Sequence, residues 1–571
     1  VSDGIHQLQL LVNAGRYLEA RQLADRLNKG SDGINTRANQ LLALSLSKSG
    51  SPETAQELLE PIYQAMPEDV ETAGILGGIY KELFKKHQDS KYAILSRDTY
   101  LKNFQATKHY YPGINAATMS AIAGRAAQGK EIATEVISLI DPQTTDFWEL
   151  ATLAEAYLLT KNRAQAVEYF IRTRQLAGTD WGKVTSVYNQ LWLLNHYVPV
   201  PKEIQKVFSP PNVVAFVGHM LDQPSRTTPR FPASIETKIK DAVKGAIQTL
   251  NASIGYCSIA CGGDILFAEA MEEAEGELQL FLPFAKDDFV EISVRFAGEN
   301  WIGRFNQLIE RHPVTYVTQE TYAGYDDLFS LQSRVIFGSA VLRSAGFHQE
   351  PALLTVLSET DLKRKEGGTR DTIRLWPFSD KHININPDLY IGSTTAVTST
   401  SSAAPVSERG TDRPVLYLVL ADLTQLSPLD KEKINKAIQI RLSDGLLTFK
   451  AAEVLHDSML VSFETETAAI NFVQMVRGLL PKGDKSVKIS LHAGPTYLDD
   501  DGQKFSGNGN INVSILRSIN QFSPHGGIVA SDLFAALLAL NRKKFKLEYV
   551  GAIQPEDNKT IGLYTVLINQ M

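Results

Sequence analysis

Two short motifs near the C-terminal end carry carboxylates where they can do chemistry. One apolar run ends Leu420-Ala421-Asp422-Leu423-Thr424, and His456-Asp457-Ser458 sits between the apolar, strand-like halves of Ala451 to Phe463. Two aspartates on neighbouring strands can hold two divalent cations, Mg2+ or Mn2+, against a triphosphate. The ions then polarise the α-phosphate and activate the attacking oxygen. A second constellation lies upstream. Gly218, His219 and Asp222 follow an apolar strand-like run, Arg226 and Arg230 come next, and Cys261-Gly262-Gly263-Asp264 opens a helical stretch that contains Glu269. Glycines at a strand-to-helix junction let a phosphate approach the helix N-terminus. Arg226 and Arg230 can clamp it bidentately. Asp264 suits either a ligand contact or an N-cap, Glu269 can face the same ligand from inside the helix, and His219 reads as a packed or capping histidine.

Three kinds of periodicity must position these residues. From 1 to about 205, apolar residues recur at three- and four-residue spacing, which predicts helices. Breaks at Gly15 and Gly50 are 35 residues apart, as are Ala20 and Ala55, and a later copy runs from Leu150 through Ala166 to Phe170. A period near 34 with small residues at helix crossings is a tetratricopeptide signature. From 210 to 390, strand-like runs such as Val213–Val217, Ile254–Ala260, Leu278–Leu282, Val314–Thr318 and Leu353–Leu357 alternate with helical stretches. That order predicts a doubly wound parallel sheet with right-handed crossovers. Residues 391–413 are rich in Ser, Thr, Ala and Pro and read as a flexible linker. From 414 to 571 the order β-α-β-β-α-β, with additions, predicts a ferredoxin-like palm. The fold class is thus multidomain, α plus α/β: an N-terminal α-solenoid, a Rossmann-like middle domain and a ferredoxin-like C-terminal palm.

Composition agrees with this division. The 571 residues, 43% hydrophobic and 21% charged, supply several cores, and at ~150 residues per domain they suggest three or four. That balance excludes a wholly disordered, collagen-like or disulfide-dominated chain. The formal charge of -7, with no long basic run, argues against a nucleic-acid partner. Cys257 and Cys261 form no second pair for a zinc site and read as buried small residues in a reducing cytoplasm. No apolar run reaches about 18 residues, so no membrane span is expected.

Several segments resemble known families. Tyr110-Tyr111-Pro112-Gly113-Ile114-Asn115-Ala116-Ala117, within about 40–200, resembles the helical TRAF-binding region of apoptosis-signal-regulating kinases and many bacterial signalling proteins, which implies docking of a protein partner. Residues 210–360 resemble the SLOG-type nucleotide-binding Rossmannoids. Residues 414–571 resemble the class III nucleotidyl cyclase catalytic domain. There, Ala421-Asp422-Leu423-Thr424 looks like the first metal motif, Glu453-Val454-Leu455-His456-Asp457 like the hairpin motif, Val487–Pro495 like the following strand, and Gly509-Asn510-Ile511-Asn512-Val513 like the start of the next helix. The resemblance implies conversion of a nucleoside triphosphate, GTP or ATP, to a 3′,5′-cyclic nucleotide and pyrophosphate. It implies a homodimer, metal ligation by Asp422 and Asp457, base reading by Glu453 with a lean to GTP, and roles for Asn512 and Arg517 at the phosphates.

The chain departs from the family at His456, where a Gly is usual, and at the phosphate-binding Arg. Position 516, four after Asn512, is Leu, and Arg517 follows it. On a regular helix Leu516 would then take the phosphate-facing place, with Arg517 a quarter-turn away. Two other readings stand beside the cyclase: a catalytically degenerate nucleotide-sensing scaffold, and a nucleotide-degrading effector centred on the middle domain.

Overall fold

A computed structural model describes residues 2–29, 35–322, 324, 327–359, 373–391, 414–443, 449–481, 484–499, 501–502, 504–505, 510–555 and 560–569. The expected linker 391–413 therefore lies outside the described residues except for Ile391, as does Gly509. Two compact units emerge: Val1–Pro210 with Tyr549–Ile553, and Pro211–Glu548 with Gln554–Met571.

The first unit is built from α1 (Ser2–Asn13), α2 (Tyr17–Lys29), α3 (Thr36–Lys48), α4 (Pro52–Ala65), α5 (Val70–His87), α6 (Ser90–Thr107), α7 (Tyr110–Ile122), α8 (Ala126–Ser138), α9 (Phe147–Leu159), α10 (Arg163–Ala177), α11 (Trp181–Asn195) and α12 (Lys202–Val207). Helices start where a side chain satisfies the exposed amides: Asn35, Asp69, Asp146, Asn162 and Asp180 each cap one. The repeated small residues Ala20, Ala55 and Ala166 are fully buried. A Cβ on Gly129 would lie 2.7 Å from the Ala117 carbonyl oxygen, so this glycine lets α8 close on α7. Equivalent positions on alternate helices also carry a polar ladder with no local sequence signal. Thr118 and Gln190 donate to Glu155, and Lys81 donates to Gln190. Burial pushes the Glu155 carboxyl up and the Lys81 ammonium down to about 8.

The strands form two sheets. The first comprises β1 (Asn212–Gly218), β2 (Ala252–Cys257), β3 (Glu277–Leu282), β4 (Val314–Tyr316), β5 (Ala352–Val356) and β6 (His382–Ile385). Their order is β4-β3-β2-β1-β5-β6, all pairs parallel. Between the strands run α13 (Glu236–Leu250), α14 (Gly263–Glu273), α15 (Lys286–Ser293), α16 (Glu299–Arg311) and α17 (Asp327–Ala345). β6 and helices α15 and α16 were not among the sequence expectations. The chain steps outward from β1 to β4 and then returns to β5 on the other side of β1.

The second sheet comprises β7 (Val415–Asp422), β8 (Ala451–Val454), β9 (Ser458–Phe463), β10 (Lys488–Pro495), β11 (Ile528–Ser531), β12 (Phe545–Ile553) and β13 (Ile561–Ile568), in the order β12-β13-β11-β10-β7-β9-β8. Its helices are α18 (Pro428–Ser443), α19 (Glu466–Gly478), α20 (Ile511–Phe522) and α21 (Asp532–Ala539). The alternation of β7 sorts its residues between two faces. Leu416, Leu418 and Leu420 pack with Val513 and Leu516 of α20. On the other face Tyr417 meets Phe534 of α21 edge-on and accepts a hydrogen bond from Arg334 of α17, which also pairs with Glu466. Helices α17 and α21 pack directly on one another. Among the described residues no helix is long and apolar enough to cross a membrane.

Candidate functional site

Because Asp422 shares the alternation of Leu416, Leu418 and Leu420, it emerges on the α20 side of the sheet, at the end of β7. In the antiparallel register Asp422 stands opposite Ser458 on β9 and Lys488 on β10. The β8–β9 hairpin then brings Asp457 to the same edge, with its carbonyl oxygen accepting from the Leu423 amide at 2.8 Å. His456 takes this turn without a positive φ, so the side chain that replaces the usual Gly adds no backbone strain there. A cleft of about 310 Å³ opens here, lined by Leu420, Asp422, Thr424, Glu453, Leu455, Asp457, Ser458, Leu460, Arg517 and Asn520.

The acids of this cleft are already served by donors of the chain. Asp422 Oδ1 accepts from the Thr424 amide (2.9 Å) and hydroxyl (2.6 Å), Oδ2 accepts from Asn520 Nδ2 (3.1 Å), and Lys488 Nζ lies 4.0 Å away. Burial works to raise the Asp422 carboxyl, but these donors outweigh it and hold it below the usual carboxylate range. Asp457 Oδ1 accepts from Lys431 Nζ at 2.5 Å, a bond that holds its carboxyl below the usual range. Glu453 faces Arg517 at 3.8 Å.

Helix α20 does not take the phase that would turn Leu516 to the phosphates. Leu516 is fully buried against β7, and Arg517, 63% exposed, faces the cleft. The hydrophobic demand of β7 selects this rotation: Leu516 and Val513 fill its leucine face, which leaves Arg517 and Asn520, three apart, toward the open side. Asn512 does not reach the cleft. It is 4% exposed; its Oδ1 is 3.0 Å from His492 Nε2, and its Nδ2 donates to the Pro495 carbonyl. A Cβ on Gly494 would fall 2.5 Å from Asn512, so this asparagine docks α20 on β10. The sequence reading missed Lys431 and Asn520. Asn520 had a signal, its three-residue offset from Arg517, whereas Lys431 had none.

At the first sheet the glycines serve backbone packing. Gly262 has φ +104°, and a Cβ there would lie 2.7 Å from both the His219 oxygen and the Leu221 nitrogen; one on Gly263 would lie 3.0 Å from Gly218 Cα. The Gly263 amide already donates to the His219 carbonyl. The chain itself therefore closes on the faces of Gly218, Gly262 and Gly263 where a Cβ would stand. Asp264 is buried and accepts from the Gly218 and Ala260 amides. Asp222 accepts from the Arg230 and Phe231 amides and pairs with Arg226 at 3.2 Å, stapling its own loop. Arg304 and Lys240 hold Glu269 between α13, α14 and α16. His219 Nε2, 3.2 Å from the Ser358 amide nitrogen, bridges the ends of β1 and β5. Both cysteines are buried free thiols.

Burial pushes the Asp264 carboxyl up to about 7, against the opposing pull of its amide donors. A folded state that binds this proton more tightly than the unfolded chain, whose ordinary value is ~3.9, loses stability as pH rises from about 4 to about 7. The unfolding free energy of the wild type relative to Asp264→Asn is thus expected to fall across that window in urea titrations. A difference that stays flat with pH would contradict the assignment.

Residues 16–120 match the family described as Tetratricopeptide Repeats-Sensor, and the N-terminal part is a tetratricopeptide-like helical region. No curated protein matches the chain. Among solved structures, a thermophilic tetratricopeptide-repeat protein of Thermus thermophilus is 17% identical, with 34% of this chain and 98% of that chain covered and a TM-score of 0.29. A MamA structure is 19% identical over 31% of this chain and 92% of that chain, TM-score 0.23. The guanylyl cyclase domain of the RhoGC fusion protein from the fungus Blastocladiella emersonii is 16% identical over 28% of this chain and 97% of that chain, TM-score 0.21.

Proposed function

We propose that this chain is a nucleotide-sensing signalling protein, in which the tetratricopeptide-like helices dock a protein partner and the cleft beside β7 takes a nucleoside triphosphate without cyclising it. The single observation that carries this reading is the lining of the cleft. Asp422, Glu453, Asp457 and Arg517 come from three separate motifs and meet there, but each acid faces a cation of the chain: Lys488, Arg517 and Lys431 respectively. The strand order β10-β7-β9-β8 supports a ferredoxin-like palm for this part. The parallel sheet supports a Rossmann-like, SLOG-type part, with structural roles for Gly262, Gly263, Asp264 and Glu269.

A pair of Mg2+ or Mn2+ ions would have to compete with donors of the chain at this site. Hard cations require oxygen ligands with lone pairs to give. Asp422 already accepts three hydrogen bonds and Asp457 holds an ammonium. Phosphate charge is met instead by Arg517, and a carboxylate at Glu453 prefers the donors of guanine.

The second reading, a two-metal class III cyclase working as a homodimer, is favoured by the arrival of Asp422 and Asp457 at one cleft. Incubation of the full chain with each of the four nucleoside triphosphates and Mn2+, followed by equilibrium dialysis and chromatography, separates them. The expected result is retention of a purine triphosphate, GTP before ATP, returned intact. A cyclic product would establish the cyclase, free base would establish a nucleotide-degrading effector, and no retention would overturn the proposal.

A further inference from the structure

We infer that the Lys431 ammonium occupies a divalent-cation place at Asp457 Oδ1, so that a metal ion binding this oxygen must displace the lysine. The inference deepens the sensing proposal but is tested without nucleotide. Lys431 lies in the first turn of α18, and a local cap fixes that turn. Ser427 Oγ donates to Asp430 Oδ2 (2.6 Å) and accepts from the Asp430 amide (3.2 Å), while the Lys431 amide donates to the Ser427 carbonyl (3.0 Å). The Lys431 side chain is 10% exposed although its acceptor, Asp457, is 52% exposed. The hairpin tip is tied as well, through the Leu423 amide on the Asp457 carbonyl.

This asymmetry distinguishes the pair from an ordinary surface ion pair, in which two mobile side chains gain little. Here the cation is the buried partner. Moving a metal onto Asp457 takes from Lys431, whose side chain is mostly covered, the carboxylate oxygen that its ammonium meets. Mg2+ and Mn2+ must also arrive partly hydrated, at an oxygen the lysine approaches to 2.5 Å. The fold has therefore placed a single positive charge where a two-metal site needs a double one.

The test is titration of the full-length protein with Mn2+ alone, free ion being followed by its paramagnetic resonance signal. Lys431→Met is expected to raise Mn2+ affinity about tenfold or more over wild type, since it frees Asp457. The gain is expected to vanish in the double variant Lys431→Met with Asp457→Asn. Lys431→Gln, which keeps a donor and removes the charge, serves where the methionine variant does not fold, and Lys431→Arg is expected to behave as wild type. Unchanged or weaker Mn2+ binding in a folded Lys431→Met or Lys431→Gln chain would overturn the inference, as would a gain that survives Asp457→Asn. Failure of the sensing proposal is seen separately, as lack of triphosphate retention by the wild type.

Discussion

Gly338→Val is expected to break the packing between the two sheets of the larger unit. Gly338 lies midway along α17, and a Cβ built on it would stand 1.8 Å from the Ala536 carbonyl oxygen and 2.3 Å from the Ala536 carbonyl carbon of α21. The obstacle is helix backbone on both sides, so no side-chain rotation relieves it. Helix α17 is also held on its other side by β1, β2 and β3, and Arg334, one turn earlier, is anchored to Tyr417 and Glu466. Overpacking of this kind costs about 1–3 kcal/mol, and more where backbone must separate; a loss at or above the top of that range is expected from the urea midpoint. Gly245→Ala is the control. That glycine lies in α13 with nothing within 4 Å of its added Cβ, so alanine there is expected to be neutral or to stabilise by up to ~1 kcal/mol. Equal effects of the two substitutions would show that α17 and α21 do not pack this closely.

Arg517→Ala is expected to lower affinity for a nucleoside triphosphate by about ten- to a hundredfold, the scale of losing hydrogen bonds to a charged group. The guanidinium is largely exposed, faces the cleft, and has Glu453 at 3.8 Å as its recorded ionic partner. Glu453→Gln is therefore expected to strengthen phosphate binding while lowering the preference for GTP over ATP. Fluorescent triphosphate analogues titrated at low and physiological salt read both effects, and the salt dependence should shrink in Arg517→Ala. The double exchange Leu516→Arg with Arg517→Leu, which the expected helix phase would favour, is instead expected to destabilise the chain, because it drives a charge into the leucine face of β7. Undiminished affinity in Arg517→Ala would remove this residue from the site.

Much of the architecture was legible in the residues. The breaks at Gly15 and Gly50, the buried alanines at 20, 55 and 166, and the alternation of strands with helices after Pro210 are signals with a range of a few residues. Hydrogen bonding within a helix and the two-residue period of a strand act over that same range. Asp422 and Asp457 could be placed on adjoining strands for the same reason, since each closes or turns an apolar run of unmistakable period.

What the local pattern left open was which atoms each polar group would meet. The rotation of α20 was decided by the leucines of β7, about a hundred residues earlier, and Asn512 went to His492 because Gly494 left room for it. Gly262 and Gly263 permit close approach, and the backbone after β1 makes one there. Lys431 found Asp457 across 26 residues, with nothing near either to announce the pair. Sequence by itself therefore determined most of the elements, though not β6, α15 or α16, and the acids of the cleft. Only the tertiary structure decided their partners, because burial and ion pairing depend on side chains that the chain brings together from far apart.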